Sequence, residues 1–260
     1  MDLLLGMSNS CQIMLDFLTT FHILGVMTTK YMEKLRALRI ERGLSQEQVA
    51  QAIGVSRPTY AALEAGTKQS LDVSEAQKLA GFFGIGLNEL ITGTFENVEK
   101  YKQMILSFLR MKISTFHDGR VTKTKLAKLL YLADFAWYYD HLESMSGMQY
   151  KKFAYGPVPD AFFRVLDELE GEGKINIDRT KEGDKDVFLI SESESNANEG
   201  TAAISAEERA LMEKIAAKWK DKRTREIVNF THNQLPYMVC RDNEAIPYEL
   251  ITQEDADKVY

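Results

Sequence analysis

Three polar side chains, Ser56, Arg57 and Thr59, lie together where the sequence predicts that a short helix begins. A guanidinium can donate two hydrogen bonds to a guanine edge, whereas a hydroxyl suits a base or a phosphate equally well. Arg57 is therefore the candidate base reader. Gln46 and Lys68, on either side of this helix, are candidate phosphate contacts because amide and ammonium groups bind phosphate oxygens.

The elements that would hold these side chains form a helix-turn-helix. Ser45 and Gln48 are spaced as a capping box, which predicts a helix start. Gly54 suits the left-handed position of the following turn, and Ser56 is a favourable cap for the second helix. Tyr60 lies within this second helix and faces inward in the predicted geometry, although it is also counted among the candidate DNA contacts.

The stretch from Tyr31 to Gly93 resembles the Cro/C1-type repressor domain of phage repressors and many antitoxins. The resemblance rests on LRALRIERGLSQEQVAQAIGVSRPTYAALEAG and on SEAQKLAGFFGIGLNELITG. It implies a bundle of five helices, the last carrying Leu87, Leu90 and Ile91, and an ion pair between Arg39 and Glu64. Pro58 departs from the family pattern, because a polar base-reading residue often stands there.

The charge of this region is balanced, with seven Lys/Arg and seven Asp/Glu between residues 31 and 95. A neutral domain gains little from counterion release on DNA. We therefore expect a homodimer that binds a two-part operator, since paired half-sites multiply the affinity.

The length of 260 residues predicts two domains. We assign residues 1–30 to an N-terminal extension, 31–95 to the helix-turn-helix domain and 96–260 to a second domain, with a short linker from Thr92 to Glu96. The extension lacks the basic start and the cleavage site of a signal peptide, and Asp16 argues against a membrane helix. It is either an extra helix or an over-extended start, with Met27 or Met32 as the true first residue.

The sequence contains no recognisable catalytic or metal-binding pattern. It has no H-E-x-x-H helix, no glycine-rich phosphate loop and no G-x-S-x-G elbow. Its histidines lie far apart, at His22, His117, His141 and His232, and its cysteines, Cys11 and Cys240, form no metal or disulfide pattern. We therefore expect no enzyme activity, no metal and no cofactor. Free thiols fit a reducing cytoplasm.

The second half predicts a mainly helical α+β domain, so the fold class is mainly α with a small β element. Helices are predicted from Val98 and over Thr122 to Tyr139, and a strand over Met148 to Tyr155. Gly156 to Pro159 is interpreted as a turn. A hairpin over residues 175–178 and 187–190 follows, giving a winged-helix order of elements. Ser191 to Thr201 is predicted to be a mobile loop, and the tail from Thr231 to be largely extended or turned before a final short segment.

Residues 98–250 resemble the Panacea domain, also called the SocA-like antitoxin domain. The resemblance rests on KLAKLLYLADFAWYYDH, on the YGPV motif and on a late Thr-His followed by a proline. It implies a domain that binds and neutralises a protein toxin encoded by an adjacent gene. The motif positions that become candidate toxin contacts are Tyr131, Trp137, Tyr155, Pro157 and His232.

Two functions follow from these resemblances. The chain is an antitoxin that also represses its own operon, or it is a prophage-type transcriptional regulator whose second domain dimerises or senses a ligand. The acid excess of residues 96–260, 24 Lys/Arg against 29 Asp/Glu, indicates a protein partner for that domain rather than DNA.

Overall fold

The computed structural model describes residues 35–68, 73–84, 96–111, 113, 119–196 and 200–260. The chain divides into two compact units between Phe95 and Glu96. The N-terminal extension, the predicted fifth helix with Leu87, Leu90 and Ile91, and most of the linker lie outside the described residues.

The first unit consists of short helices. They span residues 35–41 (α1), Gln46–Ile53 (α2), Arg57–Glu64 (α3) and Val73–Phe83 (α4). Side chains at helical spacing on each helix form one core, and they include Leu35, Val49, Ile53, Leu63, Leu79 and Phe83. The predicted amphipathic pattern is confirmed here, because each short helix needs the others to cover its apolar face.

The second unit is α+β. Its helices are Val98–Arg110 (α5), Lys123–His141 (α6), Ala161–Gly171 (α7), Ala206–Trp219 (α8), Thr224–His232 (α9) and Leu235–Val239 (α10). Its strands are Val121–Thr122 (β1), Tyr150–Phe153 (β2), Gly156–Pro159 (β3), Ile175–Glu182 (β4) and Lys185–Glu192 (β5). Short 3-10 helices lie at Glu194–Asn196, Tyr248–Gln253 and Ala256–Lys258.

The strands form two antiparallel sheets. In the larger sheet the order is β1-β5-β4, with Val121 opposite Ile190 and Ile177 opposite the same residue on the other side. In the smaller sheet β2 pairs with β3, so that Lys152 lies opposite Pro157. Backbone bonds from Ile246 to Tyr150 and from Asn243 to Lys152 extend this sheet along the other edge of β2.

Helix α6 is the centre of the second unit. Thr122 caps its start, and its side chains from Lys125 to Ala136 are buried on all faces. A helix that is apolar around most of its circumference must be covered by other elements on every side. The buried residues also include Lys125, Lys128 and Asp134, so α6 places three ionisable side chains inside the core of the second unit.

Three local predictions are wrong. Gly156–Pro159 is strand β3 and not a turn, because the chain reverses two residues earlier, at Ala154 and Tyr155. The start of the predicted mobile loop is ordered: β5 continues to Glu192, whose carboxylate binds Arg110 at 2.6 Å. The tail contains α10 and two 3-10 helices where the sequence predicted extended or turned chain, because these short helices pack apolar side chains on the core.

Within the described ranges, no helix combines the length and the apolar character needed to cross a membrane.

Candidate functional site

The turn between α2 and α3 presents the three predicted base-reading positions. The capping box of Ser45 and Gln48 is present, and Gly54 closes α2 in the left-handed conformation with a φ of 79°. The Ser56 hydroxyl caps α3 by accepting from the Thr59 amide at 3.2 Å, and the two hydroxyls lie 2.7 Å apart. Each cap contributes about 1 kcal/mol to its helix. Local chemistry therefore fixes the start of α3, the end that enters a major groove in such motifs.

Arg57 is exposed, and no hydrogen bond or ion pair ties down its guanidinium among the residues that the structure describes. Ser56 is exposed and Thr59 is half-buried. Lys78 of α4 brings a second positive charge to this surface, since its ammonium lies 3.8 Å from the position that a side chain on Gly54 would take. The arrangement leaves one long cationic side chain free to enter a groove.

An ion pair between Arg39 and Glu64 joins α3 to α1. Arg39 Nε and Nη2 donate to the Glu64 carboxylate at 2.5 and 3.1 Å, and Gln46 Nε2 donates to the same carboxylate at 2.8 Å. Burial raises the pKa of Glu64, but the bonds from Arg39 and Gln46 outweigh it, so that its pKa lies below the usual value. The pairing of Arg39 with Glu64 that the resemblance implied is confirmed. Gln46 holds α3 in place in this structure, in addition to any phosphate contact.

The assignment of Tyr60 to the DNA contacts is corrected. Its side chain is 0 % exposed and packs in the core of the first unit, where a phenol cannot reach a groove. Lys68 stays within reach of a phosphate at the end of α3, but here its ammonium binds the Glu75 carboxylate at 2.9 Å. A phosphate would therefore have to compete with this internal partner.

In the second unit, residues of the three quoted Panacea motifs converge at Gly156. Lys128 on α6 donates from Nζ to the Pro157 carbonyl at 2.9 Å. A Cβ added to Gly156 would lie 2.7 Å from Lys128 Nζ and 2.9 Å from His232 Nε2. Gly156 also has a φ of 101°, a conformation that side chains disfavour. Glycine is required here on both counts.

Among the described residues, no carboxylate contributes to the pKa shifts of Lys128 and His232, the two basic side chains beside Gly156. Burial lowers the pKa of Lys128 to about 7. Burial, and then the charge of Lys128, lower the pKa of His232, which favours its neutral form. His232 Nε2 is buried and has no hydrogen-bond partner among the described residues. The Tyr155 backbone acts in the opposite direction and raises the pKa of His232. The ring stacks on Tyr237 with centroids 4.3 Å apart.

The five candidate toxin contacts therefore occupy different environments. Tyr131 and Pro157 are buried, and their assignment as partner contacts is corrected, because a partner cannot reach them. His232 is half-buried with its free nitrogen turned inward, and Trp137 is half-buried and stacks on His141 at 3.7 Å. Tyr155, by contrast, is 81 % exposed. Of the five residues, Tyr155 alone presents most of its surface.

Lys128 is the residue of this cluster that the sequence analysis did not single out. A signal was present: Lys128 and Asp134 interrupt a stretch of apolar and aromatic residues from Leu126 to Tyr139. Charged residues are seldom buried unless they are held by specific partners. Asp134 is held in this way, since it accepts from the Ser146 amide at 2.6 Å and from the Tyr150 hydroxyl at 2.8 Å.

Comparisons with known proteins agree with both halves of this description. A helix-turn-helix family model matches residues 35–90, and the family model described as "Antitoxin SocA-like, Panacea domain" matches residues 126–236. The chain is also similar to the cryptic phage CTXphi transcriptional repressor RstR of Vibrio cholerae, with 45 % identity over 76 residues, which cover 29 % of this chain and 68 % of the relative. No solved structure matches the chain.

The chain therefore belongs to the helix-turn-helix family of DNA-binding proteins, and its second unit carries a SocA-like Panacea domain. With the groove-facing end of α3, this identifies a DNA-binding regulator.

Proposed function

We propose that the chain is the antitoxin of a type II toxin-antitoxin pair, which neutralises a protein toxin through the Panacea domain and represses its own operon through the helix-turn-helix. The observation that carries the proposal is the union of the two modules in one chain. A free Arg57 at the start of α3 supports operator reading, and the Panacea match supports binding of a toxin.

The two functions are proposed to belong to separate units. The helix-turn-helix has its own core, and the second unit has another, so each can hold its ligand without help from the other. Repression is proposed to need a homodimer. The first unit carries no net charge to hold it on phosphates, and two half-sites about one helical turn of DNA apart would supply the missing affinity.

The proposed mechanism is binding alone. To neutralise the toxin, the protein would cover the surface that the toxin needs for its activity. To repress the operon, α3 would enter the major groove, with Arg57 on a guanine and with Ser56, Thr59 and Lys68 at phosphates or base edges. No catalytic step is proposed for either unit.

The test is a growth assay in which the adjacent open reading frame is induced with and without this protein. Rescue by the full chain, with co-purification of the two products, is the expected result. A variant ending at residue 95 should lose the rescue, whereas Arg57→Ala should keep it. Rescue by the truncated chain would refute the division of labour.

A second candidate is a prophage-type transcriptional regulator without a toxin, whose Panacea domain dimerises or senses a ligand. The similarity to the phage repressor RstR favours it. A harmless neighbouring gene product, together with operator binding that needs residues 96–260 for dimerisation, would support this candidate over the antitoxin.

A further inference from the structure

The most exposed aromatic side chain described in the second unit is Tyr155, at 81 % exposure. It lies in the two-residue turn between β2 and β3. Met238 and Val239, at the end of α10, are 60 % and 56 % exposed. Large apolar side chains in such positions mark sites of protein interaction when they lie together. The end of β2, just before the turn, is hydrogen-bonded to α10 and to the residue after it, and the three exposed side chains carried by these neighbouring elements are called the tip face below.

The two elements that carry the tip face are fastened to each other. Tyr237, next to Met238, donates from its hydroxyl to the Phe153 carbonyl at 2.8 Å. Lys152 Nζ donates to the Cys240 carbonyl at 2.9 Å and lies 4.7 Å from the centre of the Tyr237 ring. The β2-β3 turn and the end of α10 are therefore one rigid support.

Buried side chains hold the turn between β2 and β3 in place. Lys128 binds the Pro157 carbonyl, and the His232 ring lies against Gly156, with Nε2 2.9 Å from the position of an added Cβ. An anchor whose backbone is already held in place loses little conformational entropy when it binds a partner. The buried motif residues thus position Tyr155, the most exposed of the five motif residues.

The rim of the tip face is acidic. Asp242 and Glu244 are exposed just beyond α10, beside the exposed Arg241, and the charge of Lys151 on β2 is paired with Asp160. The charge of Lys152 is directed inward, onto the Cys240 carbonyl and the Tyr237 ring. The whole unit shares this sign, with 24 Lys/Arg against 29 Asp/Glu. A partner that docks here gains from basic side chains around an apolar recess.

We infer that the tip face is the surface through which the second unit grips its toxin, with Tyr155 as the central anchor. The partner that fits is a protein with an apolar recess wide enough for a phenol ring and with Lys or Arg side chains at its edge. This inference rests on the function proposed above and gives that function a location.

The test compares matched variants of the full chain against the purified product of the adjacent gene, by titration calorimetry and by the growth assay. Tyr155→Ala should weaken binding about 30-fold or more, as removal of an interface hot spot does. Phe163→Ala is the control. Phe163 is 52 % exposed, but it lies in α7, after the end of β3 that is farther from the turn with Tyr155. It should stay within about three-fold of the wild type. Asp242→Lys should slow association at low salt.

The outcomes separate the two proposals. If the wild-type chain does not bind the toxin, the proposed function fails before any variant is compared. If the wild type binds and Tyr155→Ala binds equally well, or Phe163→Ala loses as much affinity, the tip face is not the interface. Should Tyr155→Ala unfold at a lower temperature than the wild type, the double variant Met238→Ser/Val239→Ser decides in its place, with unchanged affinity again overturning the inference.

Discussion

Replacing Lys128 by Met should remove a rise of stability with pH that the wild-type protein is expected to show. Lys128 is buried on the central helix, and its pKa falls from 10.5 to about 7 because burial disfavours the ammonium. The unfolded chain then binds more protons than the folded one between these two values. The free energy of unfolding therefore increases as the pH rises through this window.

The magnitude follows from the shift. A difference of 3.5 pKa units, 10.5 less about 7, corresponds to a full penalty of about 5 kcal/mol below pH 7. Between pH 7 and about pH 8.5, loss of the proton should return about 2 kcal/mol of this penalty. Asp134 acts below this range, since burial raises its pKa to about 6. Burial raises the pKa of the Cys240 thiol from 9.0 and lowers the pKa of Lys125 from 10.5, so the comparison with Lys128→Met is made between pH 7 and about pH 8.5.

The assay is urea unfolding at several pH values, followed by tryptophan fluorescence. Both tryptophans, Trp137 and Trp219, lie in the second unit, so the signal reports that unit. Lys123→Met is the matched control, because it removes the same charge from the same helix at a half-buried position, and it should keep the slope. An equal rise of stability with pH in Lys128→Met would refute the assignment of the titration to this residue.

Three further predictions concern the other sites. Arg57→Ala should cost about 1–3 kcal/mol of specific operator binding in a gel-shift titration, and an equal loss on random DNA would mean that Arg57 contacts a phosphate instead. Glu64→Ala should destabilise the first unit by about 3 kcal/mol, because Arg39 loses its part-buried partner. Chemical denaturation would measure this loss of stability, and a change below the error of the method would contradict the role of the ion pair. Gly156→Ala should destabilise the second unit by about 3 kcal/mol, from crowding against Lys128 and His232 and from the positive φ, and wild-type thermal stability would disprove the close approach.

The helix-turn-helix could be predicted because local chemistry specifies it. The cap formed by Ser45 and Gln48, the turn at Gly54 and the cap at Ser56 each depend on residues a few positions apart. The pairing of Arg39 with Glu64 spans 25 positions, and it was reached through the family resemblance and not through spacing. The tail was missed because its helices are short and need the core of the second unit to form.

The site of the second unit could be predicted only in part. Two prolines in four residues indicate a turn, yet residues 156–159 pair with β2 as a strand. They can do so because β3 is an edge strand of its two-stranded sheet, a position that tolerates proline. Burial also separates motif residues that the sequence alone does not distinguish. Tyr131 and Tyr155 are both motif tyrosines, but one is in the core and the other on the surface, and only the packing of α6 against the hairpin separates them.

The side chain of Gln234 has a mechanical consequence. It is almost fully buried, and its Nε2 donates to the backbone carbonyls of Lys258 and Val259 at 2.8 Å each. Nearby, the Tyr248 hydroxyl donates to the Met148 carbonyl at 2.6 Å. The Tyr248 ring also stacks on Phe135 of α6 with centroids 4.4 Å apart, and Ile251 is fully buried in the same core. Residues 248–260 should therefore unfold together with the core of the second unit and not before it.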